Sequence, residues 1–539
     1  MTSNLRTILI RTIVTAFVSV PLFGCGADVN VIPQPNEIHK GNGFCNIEQG
    51  IYTLEEGRTV DFLYGYLADD HGIQQNAGGT EVRFTKSTEA TDEEGYSLNV
   101  SKHMIEISAA SEKGWFYGIQ TLRQLIDGKK IPCVKISDSP AFRWRAFMLD
   151  EARHFHGKET VKMLLDEMAR LKMNTFHWHL TDDTGWRLEI KKYPRLVEIG
   201  SQRDSTQIED PGLDIPGETG DPAYDAFLRR YQSDKFDPAP HKGYYTQEDI
   251  KEIVAYALDR NIRIVPEISM PGHASAAIAS YPWLGTAKEQ IKVPCRFGVL
   301  SQVYDPSSEK VMQFLKDVLK EVSELFPSGY IHIGGDEVKY GQWQESESVK
   351  QYMKDNGLAS YRDVQVKMTN DICHYIEDEL GCRMIGWNEI LGISAHEWDK
   401  AEGTSDTKLS KKAIVQFWAG NKSILHYTLE NGYEVVHSYC EDTYIDYSYE
   451  QLPLERAYSF NPVPEGFDKE NIIGLGCQLW TEWVRDRNRI EYQTFPRIAA
   501  YAETGWTDCA DKDYGRFRHS LKKLTKIWKD KGYNITDKY

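Results

Sequence analysis

The tract Tyr330-Ile331-His332-Ile333-Gly334-Gly335-Asp336-Glu337-Val338 runs a short apolar strand into two glycines and then into adjacent carboxylic acids. Glycine lets the backbone turn sharply. A strand end that opens onto acids is how α/β enzymes present acid–base groups at the mouth of a sheet. Two carboxyls held so close cannot both ionise freely, so their pKa values are expected to be driven apart and their roles divided. Gly-Gly-Asp-Glu is also good turn composition, so the tract alone leaves a solvated turn open.

Other strand ends add to the inventory. Asp150-Glu151-Ala152-Arg153 follows one apolar run, and Phe176-His177-Trp178-His179-Leu180-Thr181-Asp182-Asp183 forms the end of another. Pro271-Gly272-His273, Gly386-Trp387-Asn388-Glu389, Phe417-Trp418, Tyr444-Ile445-Asp446 and Trp480-Thr481-Glu482 follow five more. Any one of these tryptophans reads more readily as core than as part of a ligand cage. Three of them, at the ends of strands five, six and eight, read as a cage. Flat rings beside charged groups suit a ligand with C–H faces and hydroxyls, which describes a sugar.

These residues need a frame that collects strand ends. After Pro140 eight strand candidates alternate with helices: 142–149, 174–180, 262–268, 330–334, 383–387, 413–418, 434–438 and 472–479. Between them Val161, Leu164, Leu165, Met168 and Leu171 repeat at helical spacing within a 160–171 helix, and further helices are expected over 246–259, 308–325 and 361–380. The pattern predicts an α/β fold, a (β/α)8 TIM barrel catalytic domain preceded by a small α+β domain, with a doubly wound open sheet as the competitor. Residues 26–138 are the expected accessory domain and 139–539 the barrel with a C-terminal helix near 521–529. The long insertion from Thr184 to Tyr244 should rise from the catalytic face and shape the entrance.

Bulk properties narrow the class. A chain of 539 residues has room for a barrel and a second domain. A net charge of -17 argues against nucleic acid or an anionic membrane surface as a partner. Nine cysteines without paired short spacings make neither a disulfide scaffold nor a zinc module. Arg6 and Arg11 precede an apolar run to Phe23, too short to span a bilayer and laid out like a secretion signal. Leu22-Phe23-Gly24-Cys25 resembles a bacterial lipobox. Residues 1–25 are therefore expected to be a signal peptide, with Cys25 lipidated and the protein exported as a cell-envelope lipoprotein; an ordinary cleaved signal is the alternative.

The motifs together resemble family-20 glycoside hydrolases, the β-N-acetylhexosaminidases, and Phe495-Pro496-Arg497 and Ala502-Glu503-Thr504-Gly505-Trp506 are also similar to that family. The resemblance implies substrate-assisted catalysis, in which the sugar's 2-acetamido oxygen attacks the anomeric carbon. It implies Glu337 as general acid and base, Asp336 orienting the acetamido group, and Tyr444 bonding its carbonyl. Trp387, Trp418 and Trp480 would wall the sugar. Arg153, Glu482 and Asp446 would bind its hydroxyls, and Asp182 with His273 would tune Glu337. Asn388, where an Asp is common in the family, is expected to matter little to the chemistry. No cofactor or metal is implied, and the partner is a glycan ending in a β-linked N-acetylhexosamine. Two other enzymes compete with this reading: a metal hydrolase built on His177, His179 and His273, and a diguanylate cyclase, whose signature expects Phe where Val338 stands. A glycan-binding lipoprotein without activity is the third alternative. The natural glycan, disulfide pairing and oligomeric state stay open.

Overall fold

The computed structural model describes residues 29–88, 92–210, 213, 229–396 and 403–538. The expected signal segment and Cys25 lie outside the described residues. The first unit is a six-stranded mixed sheet covered by helices Arg58–His71 and Glu112–Leu125. Its strands Thr80–Lys86 and Tyr96–Val100 alternate buried and exposed side chains, as a sheet covered on one face requires. Its last strand, Lys130–Asp138, is followed within a few residues by the first barrel strand.

Eight parallel strands then close on themselves: Trp144–Asp150, Thr175–Asp182, Arg263–Ile268, Tyr330–His332, Arg383–Trp387, Ile414–Phe417, Val435–His437 and Ile472–Leu479. The ring shuts where the eighth strand pairs with the first and the second pairs with the third. This is the closed (β/α)8 barrel, and the open sheet is excluded. Trp144, Ala146, Val265, Ile385, Ile414, Val436 and Ile473 form an apolar plug against which Tyr330 packs. The polar interior residues, His177, His179, Glu267, His332, Gln416 and Gln478, lie farther along the same strands. The barrel is thus apolar toward the strand starts and polar toward the end where active sites form.

The outer helices follow their sequence pattern. Helix Glu309–Leu325 buries Val311, Phe314, Leu315, Val318, Leu319, Val322 and Leu325, a single stripe at 3.6-residue spacing. Thr246 and Ser360 open their helices with reciprocal capping boxes to Asp249 and Asp363. The helix expected over 361–380 is α-helical only through His374; a wider-pitched turn, Tyr375–Glu379, completes it. The closing helix spans Tyr514–Asp530, longer than expected, and a further helix, Arg497–Trp506, carries the two late motifs. In the insertion, Gln202–Arg203 pairs with His241–Lys242 and Thr206–Gln207 with Phe236–Asp237. These ladders stand on the catalytic face, where Arg203 Nη2 donates to the Arg153 carbonyl at 2.7 Å.

Candidate active site

Strand four ends in a strained turn. Gly334 and Gly335 have φ of 68° and 89°, and Glu337 itself sits at 51°. A Cβ at Gly335 would lie 2.4 Å from Ile390 Cγ2, so neither its backbone nor its surroundings admit a side chain. A left-handed glutamate costs on the order of 1–3 kcal/mol, a cost seen where function holds the backbone in place. His273, after strand three, is also left-handed, at 50°. Its Nε2 lies 3.5 Å from Glu337 Oε2 and 3.6 Å from Asp336 Oδ2. Its Nδ1 lies 3.0 Å from Asp183 Oδ2 and 3.4 Å from Asp182 Oδ2. Both members of the acidic pair therefore back His273, Asp183 being the nearer, while Asp182 also pairs with Arg153 at 2.9 Å.

The adjacent acids are driven apart, as their closeness requires. Burial raises Asp336, and Glu389, Glu267 and Glu337 add to the rise against the pull of His273, leaving it at about 8. Burial also acts on Glu337, but the hydrogen bond and charge of His273 outweigh it and hold Glu337 below its ordinary value. His273 is itself kept cationic: burial opposes its charge, and Asp182, Asp183, Glu337 and Asp336 outweigh the burial. On this balance Asp336 holds a proton more readily than Glu337, the reverse of the order the acid role of Glu337 suggests.

Beside the acids, four rings close a circle. Centroids of Trp387 and Trp418 are 6.2 Å apart, Trp418 and Tyr444 stack at 5.9 Å, and Trp480 stands 5.9 Å from both Tyr444 and Trp387. Arg153 lies over the Trp480 ring at 5.0 Å, within 3.9 Å of Glu482 Oε1. Asp446 is buried with Oδ1 unpartnered, and burial followed by Glu482 raises it to about 8. Tyr231, from the long insertion, donates to Glu482 at 3.4 Å, so the insertion does reach the site. Every site residue expected within the described part of the chain lies on this one face.

A supporting layer was not foreseen. Glu267, fully buried, accepts from His177 Nε2 and Trp387 Nε1, each at 2.8 Å, and lies 2.8 Å from His179 Nδ1. Burial disfavours a charge on His179, yet Glu267 on one nitrogen and Asp182 on the other raise it to about 10. Glu389 accepts from Trp418 Nε1 at 2.9 Å and lies 3.0 Å from His396 Nε2. Asn388 Oδ1 accepts from the backbone N–H of Trp418 and of Ala419, so this residue, expected to matter little to the chemistry, fixes a wall of the cage. Arg497 donates to the carbonyls of Ile445, Tyr447 and Leu452, anchoring the loop that carries Tyr444 and Asp446. Among the described residues three sets have ligating atoms within 4.8 Å of one another: His177, Glu267 and His332; Asp182, Asp183 and His273; His273, Asp336 and Glu337. In the first, Glu267 already accepts imidazole and indole N–H groups, and His332 Nδ1 accepts from Gly334 N.

Residues 142–509 match glycosyl hydrolase family 20, catalytic domain, and residues 28–139 match its domain 2. A β-hexosaminidase of Porphyromonas gingivalis is 33% identical over 94% of this chain; the chain spans 63% of that relative's length. One of Vibrio furnissii is 33% identical over 89% of this chain and 77% of its own. The solved β-N-acetylhexosaminidase of Bacteroides fragilis superposes with a TM-score of 0.76 at 28% identity, covering 94% of this chain and 96% of its own. An exo-β-N-acetylglucosaminidase of Vibrio harveyi, solved with N-acetylglucosamine, gives 0.78 at 30% identity over 95% and 79%. With both of its domains matched along nearly their whole length, the chain belongs to glycosyl hydrolase family 20.

Proposed function

We propose that the protein is a retaining exo-β-N-acetylhexosaminidase that removes terminal N-acetylglucosamine or N-acetylgalactosamine by substrate-assisted catalysis. The observation that carries this reading is the acid pair beside the four-ring cage. The Asp336 and Glu337 oxygens that meet His273 lie within 4.8 Å of each other. Two carboxyls that flank a sugar from opposite faces stand about 5–5.5 Å apart in retaining enzymes and about 6.5–9.5 Å apart in inverting ones. Asp336 and Glu337 are neighbours in one turn and both meet His273, an arrangement that suits the division the family resemblance implies, with Glu337 moving the proton and the acetamido oxygen of the sugar as nucleophile aimed by Asp336. The relatives named above support the same reading.

In this scheme the acetamido group enters the circle of Trp387, Trp418, Tyr444 and Trp480. Its N–H donates to Asp336, its carbonyl accepts from Tyr444, and its oxygen closes on the anomeric carbon. The N–H donor and the developing positive charge favour the Asp336 anion, so Asp336 releases its proton. His273 Nε2 faces both carboxyls; it passes its own proton to Glu337 and takes the one Asp336 gives up. Glu337 then protonates the leaving oxygen and afterwards draws a proton from water. A well-aligned internal nucleophile is worth an effective molarity of about 10⁵–10⁸ M, which is why aiming the amide matters. Arg153, Glu482 and Asp446 bind the ring hydroxyls at the end that Tyr231 helps to close. Glu337→Gln should abolish turnover of an aryl β-N-acetylglucosaminide while leaving binding measurable. Asp336→Asn should slow acetamido substrates sharply and have only a small effect on whatever slow cleavage a glycoside without the acetamide undergoes; equal losses on both would refute the assignment.

We further infer export and lipid attachment at Cys25, supported by the lipobox-like residues and by a domain 2 match that begins at residue 28. Cys25→Ser should move the protein from the membrane fraction to the soluble one; an unchanged distribution would overturn this.

A further inference from the structure

Asp336 and Glu337 occupy a turn with three left-handed residues in four positions, Gly334, Gly335 and Glu337. Such a turn holds its shape only if its surroundings impose it. On the strand side it is tied, since Gly334 N donates to His332 Nδ1 at 3.0 Å and Trp387 N donates to Gly334 O at 2.8 Å. From Gly335 onward the tie comes from outside the barrel. The Gln365 side chain, buried on helix Tyr361–His374, donates through Nε2 to Gly335 O at 2.8 Å. Its Oε1 accepts from the Tyr340 hydroxyl. One amide therefore grips the chain immediately before Asp336 and again three residues after Glu337.

The platform is rigid. Helix Tyr361–His374 starts in the capping box of Ser360 and Asp363, and Asp363 also accepts from Ser405 Oγ and from the N–H groups of Asp406 and Thr407. The Tyr340 ring stacks on Trp343 and Tyr361, with centroids 5.6 and 6.4 Å away. Trp343 in turn donates to Tyr304 O at 2.9 Å.

We propose that Gln365 is a positioning residue for the reaction, clamping both ends of the turn that aims Asp336 and Glu337. This rests on the reading given under Proposed function. Without the clamp the turn relaxes toward right-handed φ, and a 1 Å misplacement of a catalytic group costs up to about 10²-fold in rate.

Wild type, Gln365→Leu, Gln365→Glu and Tyr340→Phe are assayed on an aryl β-N-acetylglucosaminide across pH, with Tm recorded. Gln365→Leu is expected to lose ~10- to 100-fold in kcat with KM changed less than about twofold, because aim and not binding is lost. Tyr340→Phe removes one arm and should lose less. Gln365→Glu keeps the acceptor for Tyr340, but only its protonated form can donate to Gly335 O. Its deficit should therefore shrink as the pH is lowered, relative to wild type at the same pH. A folded Gln365→Leu with kcat within about twofold of wild type overturns the proposal. So does a Gln365→Glu deficit that ignores pH, or a loss that follows Tm and vanishes on cooling. If Gln365→Leu does not fold, the pH response of Gln365→Glu decides. A wild type that neither turns over the substrate nor binds a thiazoline mimic of the cyclised intermediate overturns the functional reading itself; an active wild type with indifferent variants overturns only the clamp.

Discussion

Asp336 and Glu337 share a peptide bond and meet opposite fields. Asp336 faces burial and the carboxylates Glu389, Glu267 and Glu337, while Glu337 faces cationic His273. If one proton must be available to this pair for the leaving oxygen, kcat/KM should fall as pH rises through about 8, where the pair in the free enzyme gives that proton up. The midpoint belongs to the coupled pair and not to either acid alone. Glu389→Gln removes an anion that holds the proton on Asp336, so the alkaline limb should move to lower pH, and the loosened Trp418 should lower kcat as well. A pH–rate series on the two proteins checks this, and a limb that stays put or moves upward would contradict it. At this scale the sequence was legible where a residue lines the ring cage or the acid turn. Asp336, Glu337, Tyr444 and the three tryptophans stand at strand ends, and position in the repeat pointed to each. Glu389, Asn388 and Asp183 appeared in the same motifs, and Glu267 stands at the end of strand three, but their work is to hold other parts of the site. Which neighbour an acid meets depends on packing between strands far apart in the chain, as when Glu267 meets Trp387, and that leaves no local mark.

At the scale of elements, periodicity told most where an element has two different faces. Helix Glu309–Leu325 shows a clean stripe, and Ser308 caps its start by accepting from Val311 N. Helix Arg497–Trp506 showed none, because all of its residues are buried and no polar face alternates with an apolar one. It was read as a pair of motifs instead, although its Arg497 carries the loop of Tyr444 and Asp446. The central strands posed the opposite problem. All eight residues of Thr175–Asp182 are buried, which is how a parallel strand under helices reads, and the two-residue uncertainty in its ends follows from the lack of a polar boundary. The fourth strand was expected to reach Gly334 and stops at His332, since the left-handed glycines leave the ladder there. That early stop turns the chain so that Asp336 and Glu337 face the barrel mouth. Strand count and order were thus readable, while the turn that makes the site was visible only as two glycines.

At the scale of the whole molecule, the first unit is bound to the barrel by charge as well as by apolar packing. Asp70, on helix Arg58–His71, accepts from Arg123 Nε at 2.7 Å within its own unit and from Arg170 Nη1 at 2.9 Å across the junction. Arg170 donates onward to Glu167 at 3.0 Å, and Glu167 accepts from Trp528 Nε1 at 2.8 Å and Lys531 Nζ at 2.6 Å, around the end of the closing helix. All four of Asp70, Arg123, Arg170 and Glu167 are buried. Removing one partner from such a network leaves an uncompensated buried charge and costs about 3–5 kcal/mol. Asp70→Asn should therefore lower stability by that order, through the contact between the two units and not through the site. Burial raises both Asp70 and Glu167, but the arginines outweigh it for Asp70, and Arg170 with Lys531 brings Glu167 to about 2. A carboxyl lowered by folding contributes stability that is whole above its unfolded value, near 4, and is lost as pH falls below it. Wild-type Tm should drop steeply as pH falls from about 4 to about 2, and Asp70→Asn should start lower at pH 7 and fall less over that window. Calorimetry of the two proteins decides: equal Tm at pH 7, or parallel acid limbs, would mean that the apolar contact alone holds the units together.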